Sequence, residues 1–472
     1  LVFSSHIFLF GFLPIALLLY YLTPQRGRSV TLALLSYVFY GWWNPWFVFL
    51  MLGSTLVDYF CGGIIAKEGQ TARRRKAALW TSISVNLLCL GFFKYAIFVS
   101  GNIGIVAAWF GLEGVAAPDF LSQIILPVGI SFYTFQSMSY SIDLYRGEAK
   151  PARNFADFAC YVSMFPQLVA GPIVRYASIA EQLKSRPHTV EGFAAGMTRF
   201  NYGFAKKILL ANPMGQIADL CFEAGDGSLT AVAAWIGVMV YAMQIYFDFS
   251  AYSDMALGLG RMLGFRFAEN FNSPYKSASF TEFWRRWHIS LSSFLRDYLY
   301  IPLGGNRKGV GRTYANLLLV MLIGGLWHGA QWTFLIWGAL HGLLLAGERF
   351  LKAKTSLAVP RWAGRILTAV LLLITWVFFR AESLEVAMRY LTAMFGGGNA
   401  GEAATLLHEM LFHPLAVVQL LICLGIAAFL PNTGKFLARL SIWKVIGGVC
   451  LLVISVRVMA VQGFNPFLYF QF

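Results

Sequence analysis

From Leu317 to Ala346 the chain carries no Asp, Glu, Lys or Arg. In helical form a run of this kind is long enough to cross a bilayer core, which takes roughly 20 apolar residues. Comparable stretches recur at 7–22, 30–43, 78–100, 155–171, 229–247, 313–346, 362–379, 414–430 and 445–461. Only 12% of the 472 residues are charged, about half the share of an ordinary soluble domain. A soluble fold of this size could not cover its surface with so few charges. Alternating strands of about ten residues, the mark of a membrane barrel, do not occur. These features predict an all-α, polytopic integral membrane protein. No internal repeat is evident, and the weakly apolar connection 380–412, with Gly396, Gly397, Gly398 and Gly401, is too short to fold alone.

The net charge of +15 marks cytoplasmic loops in so hydrophobic a chain, rather than a nucleic-acid surface. Lys67, Arg73, Arg74, Arg75 and Lys76 crowd one connection, and Lys352, Lys354, Arg361 and Arg365 another. Arg26 and Arg28 lie in the first connection, and Lys435, Arg439 and Lys444 in the last. The alternation of basic and non-basic connections predicts both termini outside the cytoplasm. The first segment lacks a basic leader and holds Pro14, so it is expected to be a retained span rather than a cleaved signal. Six scattered cysteines show no metal-ligand or redox spacing. The GLGRMLG run at 258–264 lacks the spacing and the lysine of a phosphate loop.

Polarity concentrates in the middle third. QIYFDFSAYSDMA at 244–256 sets Asp248 and Asp254 among aromatic residues, as candidates for binding substrate or donor. A helix from about 281 to 300, capped by Ser279 or Thr281, would align Arg285, His288, Ser292 and Arg296 within about 80°. That stripe fits a helix lying at the interface with its arginines on lipid phosphates. It equally fits the wall of a hydrated cavity that attracts an anion. His328, beside Trp327, Gln331 and Trp332 and between Gly324, Gly325 and Gly329, is the sharper candidate. A transmembrane histidine can simply bond a carbonyl and hold helices together. It can also, as a neutral imidazole, take a proton from a hydroxyl in acyl transfer. His341 would stand some 20 Å from it on a straight helix and about 140° round, which excludes a shared metal site.

WRRWHIS at 284–290 followed by LWHGA at 326–330 resembles the membrane-bound O-acyltransferase family. VFSSHIFLFGFLP (2–14), LPVGISFYTFQSMSYSIDLYRG (126–147), FPQLVAGPIVR (165–175), YFDFSAYSDMALGLG (246–260), DYLYIPLGGNR (297–307) and NPFLYFQF (465–472) resemble its bacterial, polysaccharide-modifying branch. The resemblance implies a bundle of roughly eleven or more spanning helices, with re-entrant ones, around a central funnel or tunnel. It implies a single domain over 1–472, with N-terminal helices to 120, a catalytic core at about 121–350 and C-terminal helices from 360. His328 takes the catalytic role at mid-depth, and His288 the accessory one. Arg285, Arg286 and Arg296 are expected to meet the donor's phosphates, and Gln331 to help orient the carbonyl. The donor is expected to be cytoplasmic acetyl-CoA, with no resident cofactor and no metal. The acetyl group would cross the bacterial inner membrane to periplasmic SGNH-hydrolase-like partners that acetylate alginate, cellulose or a similar polymer. A transporter or flippase for a lipid-linked sugar or acyl carrier, or a scaffold for a secretion complex, are the rival readings.

Overall fold

The computed structural model describes residues 2–112, 118–225, 228–355, 359–398 and 401–465, and among them the secondary structure is helical with no strand. Seven helices in this range are long and apolar enough to cross a membrane: Trp46–Ala66 (α1), Ala72–Trp109 (α2), Ala231–Met262, Val310–His328, Trp332–Lys354, Arg361–Arg380 and Ile442–Val461. An eighth arises if Ala404–Leu411 and Pro414–Phe429, bent by 58°, form one span. This is fewer than the resemblance implied, because many of the other helices are shorter or more polar. The expected span at 155–171 breaks into Phe155–Ser163 and Phe165–Leu168, with Pro166 opening the second piece. The run 313–346 is two helices rather than one. NPFLYFQF lies almost wholly outside the described residues.

The chain divides into two compact units, residues 1–197 with 256–268, and residues 198–255 with 269–472. In the first, α1 and α2 meet the helix Ile130–Arg146 (α3) through buried polar groups rather than apolar packing alone. Asp58 of α1 accepts from the Ser82 hydroxyl at 2.6 Å and from Asn86 Nδ2 at 2.9 Å. Ser82 also lies 2.6–2.7 Å from both Asp58 and Ser141 of α3, which ties the three helices together. Interhelical bonds of this kind hold helices where lipid offers no hydrophobic drive. This unit also contains the start of the helix Val190–Ala205 (α4), as far as Met197.

The second unit holds most of the helix Ala231–Met262 (α5), the short helices Phe280–Trp284 (α6) and Ile289–Leu295 (α7), and then Val310–His328 (α8), Trp332–Lys354 (α9) and Arg361–Arg380 (α10). α8 and α9 form a tight hairpin about Gly329, Ala330 and Gln331. A side chain at Gly325 would strike the Phe334 carbonyl, and one at Gly338 the Met321 carbonyl. Only glycine permits this backbone approach.

Candidate active site

The hairpin fixes the position of His328. α8 starts beside Arg307, Lys308 and Arg312, and α9 ends in Glu348, Lys352 and Lys354, so both open ends are charged. From Arg312 to His328 the helix rises about 24 Å at 1.5 Å per residue. The bilayer core is about 30 Å thick. His328 is the last residue of α8, next to the turn. It therefore lies toward the end of the hairpin remote from the charges, not midway as the continuous apolar run suggested.

Residues 280–307 reach the same depth from the charged end. The Thr281 backbone N–H donates to Glu348 at 3.0 Å, and Glu282 lies 3.6 Å from Arg361. Further in, Trp284 Nε1 donates to His341 Nδ1 at 3.2 Å. At the deepest point the rings of His288 and His328 stand 6.5 Å apart, centre to centre. The segment then returns, with Leu295 over Gly324 and the Gly305 carbonyl accepting from Asn316 Nδ2 at 3.0 Å. These contacts describe a segment that runs in along the α8–α9 hairpin and returns toward its charged end.

The expected helix from 281 to 300 does not form. Ser279 does cap a helix, its side chain accepting from the Glu282 N–H, but that helix ends at Trp284. The Arg286 carbonyl instead accepts from the Asn272 N–H, and the Ile289 N–H donates to the Asn270 carbonyl, each at 2.9 Å. Those tertiary bonds take the place of the helical ladder. His288 adopts φ 42°, ψ 56°, in the left-handed region, and opens α7 as its N-cap. The polar stripe is thereby broken: His288 is fully buried, whereas Arg285 and Arg296 are exposed.

The polar contacts of His288 gather at Nδ1. Asn270 Nδ2 donates to the Ser253 hydroxyl at 3.2 Å, which turns Asn270 Oδ1 toward the loop. That oxygen accepts from both the Ser290 N–H and the Ser290 hydroxyl, at 3.2 and 2.9 Å, and lies 3.3 Å from His288 Nδ1. The Leu291 N–H and the Ser290 hydroxyl approach the same ring nitrogen at 3.4 Å. Nε2 is buried and has no hydrogen-bond partner among the described residues.

Aromatic rings wall in the pair. Phe249 and Trp327 stand 4.7 and 5.8 Å from His288, and Trp327, Trp337 and Phe379 stand 5.0–5.3 Å from His328. His341, which packs 4.6 Å from Trp337, has both nitrogens engaged, since Nε2 meets the Thr375 hydroxyl at 3.1 Å. It holds α6, α9 and α10 together. The straight-helix separation of the two histidines does not apply, because they sit on opposite arms of the hairpin and share Trp337 as a neighbour. Among the described residues no group of three or more His, Cys, Asp or Glu side chains could hold a metal ion.

The remaining candidates are dispersed. Arg286 pairs with Glu282 at 2.8 Å and donates to the Asn272 carbonyl at 3.0 Å. Arg296 pairs with its neighbour Asp297 at 2.6 Å. Gln331 is exposed at the hairpin turn, where it accepts from the Thr333 hydroxyl at 3.5 Å. Asp248 lies 2.6 Å from Lys207, both buried. Asp254 meets Arg199 at 2.8 Å and Lys206 at 2.7 Å, and Arg199 continues to Glu269 at 2.6 Å. The two aspartates are thus committed to ion pairs with a π-helical stretch, Lys206–Ala211, and its flank. Sequence reasoning missed these partners, as it missed Asn270. Two adjacent lysines opening the apolar run KKILLA were the available signal.

The profile of the membrane-bound O-acyltransferase family matches residues 148–387. Over its whole length the chain is 44% identical to the whole of a protein of Azotobacter vinelandii named "Probable alginate O-acetylase AlgI". A protein of the same name from Pseudomonas aeruginosa is 50% identical over 84% of this chain and 76% of its own. A "Peptidoglycan O-acetyltransferase" of Helicobacter pylori is 37% identical over 84% of this chain and 80% of its own.

Proposed function

Since the chain belongs to the membrane-bound O-acyltransferase family, we propose that it takes an acetyl group from cytoplasmic acetyl-CoA and passes it across the inner membrane for O-acetylation of an exported polysaccharide. Alginate is the foremost candidate, because relatives similar over the full chain carry that substrate in their names. Delivery to the polymer falls to periplasmic SGNH-hydrolase-like partners.

The observation that carries the reading is the pair of buried imidazoles 6.5 Å apart at the deep point of the segment 280–307. His328 is the general base. It takes the proton of the attacking hydroxyl as the hydroxyl oxygen bonds to the acetyl carbonyl carbon. The carbon–sulfur bond then breaks, and the imidazolium returns the proton to the thiolate, releasing CoA. His288 is the accessory group: its Nε2 has no hydrogen-bond partner among the described residues, and in the tautomer that carries the proton there it offers a hydrogen bond to the carbonyl oxygen as negative charge develops. Arg285, exposed between Trp284 and the deep point of the loop, supplies positive charge for the donor's phosphates, as do Arg286 and Arg296 beyond their pairs with Glu282 and Asp297. Both histidines are buried in this structure, so the thioester arm reaches them only as the aromatic wall of Trp327, Trp337 and Phe379 parts.

The test is transfer from labelled acetyl-CoA by the purified protein. His328→Gln is expected to lower turnover by about 10²–10⁴, the usual worth of a general base, with unchanged elution and melting. Full transfer by a folded His328→Gln protein would remove the mechanism and leave a transport role for the passage.

A further inference from the structure

The first unit contains a second polar centre, remote in sequence from both histidine motifs. A cavity of about 120 Å³ is lined by Tyr21, His188, Thr189, Gly192, Arg261 and Arg266 among others. Arg28 and Arg186 stand behind it. Arg28 Nη1 donates to His188 Nδ1 at 2.9 Å, and His188 Nε2 lies 2.9 Å from the Tyr20 hydroxyl. That hydroxyl donates to the Leu263 carbonyl at 2.8 Å and accepts from Arg186 Nε at 2.8 Å. His188 is thus a neutral wedge between two guanidiniums, with both nitrogens engaged.

The charge here is mainly positive, with Glu191 the acidic residue in the first turn of α4. None of Arg28, Arg186, Arg261 and Arg266 makes an ion pair with a carboxylate among the described residues. Arg186 is only 6% exposed, lies 4.3 Å over the Phe265 ring, and keeps Nη2 without a partner among the described residues. Cations gathered and partly buried without counter-charge are costly unless an anion joins them. The start of α4 adds to the field. Thr189 accepts from the Gly192 N–H at 3.0 Å as its cap, and both residues line the cavity, so the positive end of a sixteen-residue helix faces it. Gly264 holds φ +86°, and a side chain there would crowd His188 and the Pro187 carbonyl at 3.1 Å. Part of the GLGRMLG run, which lacks the phosphate-loop pattern, therefore contributes Arg261 and Gly264 to an anion-sized space.

We propose that this cavity binds a phosphate group, held by Arg261 and Arg266 at the rim and by the start of α4, with the rest of the ligand outside. The shared chemistry is a phosphate ester, carried either by a soluble nucleotide or by a phospholipid headgroup. The proposal stands apart from the acyl-transfer reading, since it requires neither His288 nor His328.

Two binding measurements on the purified full chain at low salt distinguish the sources. The nucleotide arm titrates adenosine 3′,5′-bisphosphate calorimetrically. The lipid arm compares retention of phosphatidylglycerol and phosphatidylcholine by native mass spectrometry. Saturable binding in one arm, weakened at least tenfold in Arg261→Gln/Arg266→Gln at unchanged melting temperature, supports the site and names its source. Absence of binding in both arms, or equal binding by the double variant, overturns it. Arg266 is exposed, so Arg266→Glu keeps the fold and carries the same comparison if the double variant does not fold.

Discussion

His288 combines a strained backbone with a fully buried ring, and the two properties separate by substitution. At φ 42° a side chain with a branched β-carbon pays roughly 1–2 kcal/mol or more, whereas Asn tolerates the conformation and caps helices well. His288→Asn should therefore melt close to the parent while acetyl transfer falls, and His288→Ile should lose both fold stability and activity. Both histidines were legible because each lies in a short local pattern, of Trp and Arg around His288 and of Trp and Gly around His328. Asn270, Trp337 and Phe379 were not, because their proximity to the imidazoles depends on tertiary contacts that no local spacing records.

Among the elements, the α8–α9 hairpin sets the geometry of the site, and its glycines are where it is vulnerable. Gly338→Val would push a branched side chain against the Met321 backbone, at a cost of about 1–3 kcal/mol or more, seen as a lowered melting temperature and a loss of transfer. Gly347→Ala, on the same helix but with open space around it, should leave both unchanged. Equal effects from the two would show that close backbone packing is not what holds the hairpin. The presence of apolar helices was readable from the charge-free run, yet the break was not, because Gly329, Ala330 and Gln331 also occur inside helices. The loop at 285–288 was hidden for a related reason. Its period fits a helix, and only the backbone bonds to Asn270 and Asn272 overrule it. Asp248 and Asp254 stood out as polar residues in an apolar setting, but such residues serve ion pairs as readily as ligands. Lys207 and Lys206 are the partners that decide between the two.

For the whole molecule, charge decides orientation and hairpin length decides depth. Basic residues mark the open ends of α8 and α9, the ends we propose face the cytoplasm. Their charge-free arms rise about 24 Å, enough to bring the turn near the opposite face of a core of about 30 Å. Trp332 and Gln331, exposed at that turn, suit an interfacial position. On the proposed function, a donor confined to the cytoplasm sends only its acyl arm inward along residues 280–288, and the acetyl group leaves close to the outer face. Single cysteines in a background freed of the six native ones test this arrangement in intact cells with a membrane-impermeant thiol reagent. Arg312→Cys and Lys354→Cys should react only after the membrane is opened, and Gln331→Cys should react from outside. Labelling of all three from the same side would make the hairpin itself re-entrant. His328 would then face the cytoplasm, and transfer across the membrane would need a route other than this pair of helices.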